Sequence, residues 1–119
     1  MPVIVVLGVR NAIDDRVHRF ERKLKMTVAG ITELGLSEDQ VSCFFPDCNG
    51  LSRRSRDVIV FIEGLFIRED RTEKVRRDLA LAVGKIIPNY LRDAKLIEVF
   101  VRPFDPAWGF WSSAEEDVE

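Results

Sequence analysis

The stretch VIVVL (residues 3–7) returns as VIVFI (residues 58–62), and these two copies decide the fold. Apolar runs of this length, rich in β-branched residues, predict strands that are buried on both faces. Aligning the chain with itself at an offset of 55 positions gives 11 identities in the 44 pairs from residue 3 to residue 46. Ordinary composition would give roughly three identities by chance. The sequence is therefore an internal duplication.

The first copy predicts a strand, a helix and a second strand. Residues 2–9 form the first strand, and residues 40–45 form the second. Between them, apolar residues at steps of three and four along residues 17–31 predict one buried helix face. Gly35 is expected to end this helix.

The second copy predicts the same order of elements. Residues 57–65 and 95–101 are its strands. Asp70 and Glu73 form a capping-box pattern that is expected to start the intervening helix. Pro88 and Asn89 are expected to weaken its end.

Two strand–helix–strand units predict an α+β fold with a four-stranded sheet and both helices on one face. Since the strands are apolar on both faces, the second face needs cover that one chain does not supply. We therefore expect an oligomer. A ferredoxin-like domain, of the kind that serves as a regulatory or interaction module, is the structural alternative.

The composition predicts one domain over residues 1–119, with 46% apolar residues, 32% charged residues and a net charge of −2. Its expected parts are the units 2–46 and 57–111, a polar connector 47–56 and an acidic tail 112–119. The interspersed charges favour neither nucleic acid nor membrane as a partner, and we expect a cytoplasmic protein. Cys43 and Cys48 are interpreted as reduced thiols, because a zinc site would lack ligands beside the single histidine, His18.

Pro2 directly precedes the first strand and allows two interpretations. A proline is tolerated at the first residue of a strand, where no ladder donor is needed. Alternatively, removal of Met1 would leave Pro2 with a free secondary amine. A free α-amine titrates near pH ~8, and burial lowers that value, which suits a proton shuttle at neutral pH.

Four features together resemble the tautomerase superfamily, which includes 4-oxalocrotonate tautomerase. They are Pro2 behind Met1, the duplicated strand–helix–strand unit, FIREDRTEK (residues 66–74) and FDPAWGFW (residues 104–111). The malonate semialdehyde decarboxylase and cis-3-chloroacrylic acid dehalogenase branches, whose members carry the full duplication, are most similar. The resemblance implies a trimer whose sheets form a central barrel, which would supply the missing cover.

The resemblance also implies a site that works without a cofactor. Pro2 would be the general base or acid, and Arg71 and Arg68 would bind the carboxylate of a small substrate. Trp108 would pack on the active site. Arg10 lies near the position of an equivalent arginine in the first unit.

Each of these residues also has a structural interpretation. The arginines can be solvated charges at a helix start, and Trp108 can fill a core or an interface. Glu63 and Glu98 interrupt apolar strands and can lie at an exposed edge or face a pocket. Two function hypotheses follow: a tautomerase, isomerase or related decarboxylase of a 2-oxo or enol carboxylate, or a non-catalytic oligomeric binding protein on the same scaffold.

Overall fold

The computed structural model describes residues 2–9, 15–46 and 56–114. The two helices are α1 (Asp15–Ala29) and α2 (Glu73–Tyr90), and short 3₁₀ helices occupy Thr32–Leu34, Glu38–Gln40 and Pro106–Trp108. The four strands are β1 (Val3–Leu7), β2 (Ser42–Phe44), β3 (Asp57–Phe66) and β4 (Leu96–Phe104). The predicted duplication of strand, helix and strand is confirmed.

The four strands form one sheet in the order β2-β1-β3-β4. Within each unit the two strands are parallel neighbours, and the units join through antiparallel pairing of β1 with β3. A split β-α-β arrangement, as in ferredoxin-like domains, would place another strand between the partners of each unit. The pairing therefore excludes the ferredoxin-like alternative.

Both helices cover one face of this sheet. Alternate strand residues point to that face, and Ile4, Val6, Val60 and Ile62 are all fully buried. The predicted apolar stripe of α1 is confirmed, since its buried residues are Val17, Phe20, Leu24 and Val28. The stripe of α2 buries Val75, Leu79, Val83 and Ile87 in the same core.

Two helix boundaries differ from those expected. Gly35, with φ of +65°, closes the Thr32–Leu34 helix, whereas α1 already ends at Ala29. The N-cap of α2 is Thr72, whose hydroxyl accepts a hydrogen bond from Val75 N at 3.3 Å; Asp70 lies in the preceding turn. The end of α2 agrees with expectation, since Pro88 and Asn89 lie in its last turn and the helix ends at Tyr90.

Neither helix of residues 2–9, 15–46 and 56–114 covers the second face of the sheet, which we call the open face. Leu7, Phe44, Leu96 and Phe100 on it are between 37% and 56% exposed. Phe61 stacks on Phe100 with ring centroids 5.4 Å apart. The strand register places these residues on the open face: Val3, Val5, Leu7, Ser42, Phe44, Ile59, Phe61, Glu63, Leu96, Glu98, Phe100 and Arg102. It is thus an apolar surface with a few charges, as the strand sequences predicted.

Some predictions fall outside the described residues. Most of the connector 47–56 and the end of the tail 112–119 do so, and the predicted segment boundaries stay predictions. No helix of the described ranges is long and apolar enough to cross a membrane.

Burial raises the pKa of the Cys43 thiol to about 12, with the nearby Glu21 carboxylate acting in the same direction, so this thiol stays protonated at neutral pH.

Phe20 tests the packing of the core. Its ring is fully buried and lies 5.9 Å from Phe45 and 5.2 Å from Tyr90. We expect Phe20→Ala to lower the free energy of unfolding by about 3–5 kcal/mol, because it leaves a cavity among these rings. Urea unfolding measures the loss. Met26→Ala on the same helix, where Met26 is 46% exposed, is the control and should cost far less; equal losses would contradict this packing.

Candidate active site

Pro2 lies at the end of the sheet where β1 begins and where β3 and β4 end. It is buried, and its carbonyl accepts a hydrogen bond from Ser42 N at 3.2 Å, next to the start of β2. Because β3 runs antiparallel to β1, the C-terminal end of β3 lies at this same end of the sheet, with Val3 opposite Glu63. The parallel partner β4 brings its own C-terminal end there. The pairing thus gathers Pro2, the β3–α2 loop and the segment after β4.

The loop between β3 and α2 carries both predicted arginines. Ile67 N donates to Phe104 O at 3.0 Å, which fixes the loop's first residue to the end of β4. Arg71 N donates to Arg68 O at 3.0 Å, closing a turn just before the Thr72 cap. Arg68 and Arg71 therefore come from one tight turn at the Pro2 end of the sheet.

Arg68 offers an accessible positive charge. Its side chain is 35% exposed, and Nη2 lies 3.4 Å from Asp70 Oδ2, a long and therefore weak contact. The guanidinium also lies over Gly35, where an added Cβ would stand 3.4 Å from Nη1. Arg68, Glu69 and Asp70 line an open depression of about 470 Å³. The turn can thus present a guanidinium to a small anion.

Arg71 is placed differently from Arg68. It is only 2% exposed, and its guanidinium points at backbone carbonyls. Nε and Nη2 donate to Leu34 O at 3.2 and 2.7 Å, and Nη1 donates to Phe66 O at 2.8 Å. These three bonds link the α1–β2 connection to the end of β3. That Arg71 binds a carboxylate stays a prediction. The guanidinium nitrogens that would bind it already donate to backbone carbonyls.

Trp108 stands on an aromatic cluster at the same end of the molecule. Asp105 caps the short helix Pro106–Trp108 by accepting from Ala107 N at 2.9 Å. The Trp108 ring meets Phe104 edge-on at 5.7 Å, and Phe110 meets Phe66 in the same way at 4.8 Å. Trp108 remains 67% exposed, so it is not core filler in the single chain. Its predicted place beside a site stays a prediction.

The sequence analysis did not single out Arg102. Its Nε lies 3.1 Å from Glu63 Oε1, and its guanidinium sits 4.3 Å from the centroid of the Phe61 ring. The contact is an ion pair outside hydrogen-bond geometry, since Glu63 Oε1 has no hydrogen-bond partner among the described residues. Opposite charges at paired strand positions were the available clue. Glu98 is exposed on the open face, and predicted Arg10 lies outside the described residues.

Comparison with solved structures gives clear matches. N1, a member of the cis-3-chloroacrylic acid dehalogenase family, superposes with a TM-score of 0.71 at 16% identity, over 94% of this chain and 81% of that one. F6, a fused 4-oxalocrotonate tautomerase described as a wild-type asymmetric trimer, gives 0.67 at 16% identity, over 93% and 92% of the two chains. Pt0534, solved after inactivation by 2-oxo-3-pentynoate, gives 0.68 at 14% identity, over 95% and 92%.

The chain has the tautomerase-superfamily fold. The resemblance drawn from the sequence is thus confirmed for the fold. A scan of protein-family models and a search of curated proteins give no match. In the tautomerase fold of this chain, Pro2, Arg68, Arg71 and Trp108 all belong to segments at one end of the sheet.

The two arginines should respond differently to loss of the guanidinium. Arg71→Met leaves the Leu34 and Phe66 carbonyls without their donor, so we expect a loss of about 3 kcal/mol in the free energy of unfolding. Arg68→Met is the matched control, and removal of its exposed pair should cost less than about 1 kcal/mol. Urea unfolding of both variants measures the difference. Equal small losses would contradict the structural role of Arg71.

Proposed function

We propose that this protein is a cofactor-free tautomerase or isomerase, or a related decarboxylase, acting on a small 2-oxo or enol carboxylate. Pro2, freed by removal of Met1, is the general base and acid. Arg68 binds the substrate carboxylate, and Trp108 forms an apolar wall of the site. The observation that carries the proposal is the buried Pro2 at the sheet end that also holds the turn with Arg68.

The chemistry needs a neutral amine and a fixed anion site. A secondary amine in buried surroundings favours its neutral form, because burial disfavours the ammonium. The amine nitrogen of Pro2 then takes a proton from the enol hydroxyl, electrons move to form the ketone, and the ammonium returns the proton at carbon. The ring holds the lone pair in one direction, and a guanidinium such as that of Arg68 holds a carboxylate through two parallel hydrogen bonds.

A non-catalytic oligomeric binding protein on the same scaffold is the second candidate. One observation favours it: the guanidinium of Arg71, a residue at the position of a family arginine, donates to backbone carbonyls. A site with one accessible arginine at this turn could hold an anion without turning it over. The two candidates differ in whether Pro2 carries a reactive amine.

Covalent labelling and turnover test the enzyme. The acetylenic ketone 2-oxo-3-pentynoate, which inactivates the fold neighbour Pt0534, accepts a neutral amine at its triple bond and retains all its atoms in the product. We expect the full reagent mass on the N-terminal peptide. We also expect Pro2→Ala to reduce ketonisation of an enolised 2-oxo acid by about 10²–10⁴-fold, the usual contribution of a general base.

Peptide mapping is the control, because any cysteine that reaches its thiolate form would also add to the triple bond. Label found only on a cysteine, or undiminished turnover in Pro2→Ala, would contradict the proposed role of Pro2. A folded wild-type protein with neither label nor turnover would favour the binding protein.

We further propose that three copies assemble with their open faces inward. The open face is apolar and partly exposed in one chain, and its stacked rings Phe61 and Phe100 would be buried by neighbouring copies. Fused 4-oxalocrotonate tautomerases of this fold are described as asymmetric and symmetric trimers. The proposed assembly supplies the cover that the strand sequences demand.

A charge on the open face should break this assembly. We expect Phe100→Glu to convert a trimer to a monomer, because the carboxylate would be buried among apolar residues. Sedimentation velocity gives the mass of both forms. Met26→Glu is the matched control, since Met26 on α1 and Phe100 are 46% and 45% exposed. A monomeric wild-type protein, or a trimeric Phe100→Glu variant, would contradict the proposal.

A further inference from the structure

Arg71 joins two loops that are far apart in the sequence. Its guanidinium spans Leu34 O, in the α1–β2 connection, and Phe66 O, at the end of β3. Arg76 Nη1 in turn donates to the Arg71 carbonyl at 2.7 Å and braces the turn from α2. The guanidinium of Arg71 is nearly fully buried and donates to backbone carbonyls of both loops, so it holds the two loops together.

The residue that follows Leu34 lies under Arg68. Gly35 adopts φ of +65°, and its Cα faces the Arg68 guanidinium so closely that an added Cβ would stand 3.4 Å from Nη1 and 3.5 Å from Nη2. Holding Leu34 O therefore also fixes the backbone against which Arg68 rests. The same guanidinium fixes Phe66, two residues before Arg68.

We propose that Arg71 is a positioning residue that sets the direction of Arg68, and that Arg68 alone of this pair binds the substrate carboxylate. This inference rests on the proposed function, in which Arg68 is the anion-binding group. It differs from the role that the family resemblance implies, in which both arginines bind the carboxylate. The physical reason is geometric, since only the planar fork of arginine serves both carbonyl oxygens at once.

A double-mutant cycle separates positioning from binding. The readout is the concentration of 2-oxo-3-pentynoate that gives half the maximal rate of labelling at Pro2. Arg71→Lys keeps the charge but loses the fork, so we expect this concentration to rise about tenfold when Arg68 is present and less than about twofold in an Arg68→Ala background. The limiting rate at saturating reagent should change little. Equal losses in both backgrounds would mean that Arg71 binds the carboxylate itself, and would overturn the inference.

Hydrogen exchange tests the positioning role of Arg71 without any substrate. We expect Arg71→Lys to speed amide exchange in residues 30–41 and 64–72 together, while β1 is unchanged. Arg77→Lys is the matched control, because Arg77 lies on the exposed side of α2, 72% exposed beside Glu73. If the wild-type protein takes no label, the proposed function fails, and exchange alone tests the link. Unchanged exchange in residues 30–41 of Arg71→Lys would overturn the positioning role.

Discussion

The antiparallel pairing of β1 with β3 is the constraint on which the rest of the structure depends. Each strand–helix–strand unit could form a parallel pair by itself, but only this pairing makes one sheet from two units. It also decides what lies beside Pro2. Since β1 begins where β3 ends, the first residues of the chain lie at the same end of the sheet as the turn that carries Arg68 and Arg71. A parallel union of the units would have put them at opposite ends.

The same pairing gives the sheet two unlike faces. One face is closed by α1 and α2 and forms the core, with Ile4 and Ile62 fully buried side by side. The open face presents Phe61 and Phe100 with the Glu63–Arg102 ion pair. The strands are apolar at almost every position, which indicates that both faces of the sheet are covered. A strand with one solvated face would instead alternate apolar and polar residues. The proposed trimer is the simplest cover for the open face, and it would make the sheet the centre of the assembly.

Sequence reasoning succeeded where periodicity and repetition carry the information. The duplication at 55 positions, the buried stripe headed by Val17 and the apolar strand around Val60 all survive in the structure. It failed where a local motif competes with another nearby. Gly35 was assigned to α1 but closes a separate 3₁₀ helix, and Thr72 caps α2 in place of Asp70. Pro88 lies in the final helical turn, so the backbone hydrogen bond that proline cannot donate is lost only near the helix end at Tyr90.

The sequence predicted where the two candidate arginines lie along the chain better than where their side chains point. The motif FIREDRTEK placed Arg68 and Arg71 on one turn, which the structure bears out. The motif could not show that the Arg71 side chain points inward. The partners of this side chain are the backbone carbonyls of Leu34 and Phe66, and a residue of any type has a backbone carbonyl. Arg102 was missed for a related reason: its partner Glu63 lies on another strand, and only the strand register brings the two together.

The central claim is that Pro2 acts through a free secondary amine. The intact mass of the protein, expressed with no added residues at its N-terminus, tests this claim most directly. We predict a mass that lacks one methionine, so that the chain begins at Pro2 with a titratable nitrogen. A mass that retains Met1 would contradict it, because the Pro2 nitrogen would then be an amide with no basic lone pair. Pro2 would in that case only start β1, and the binding-protein hypothesis would replace the enzyme.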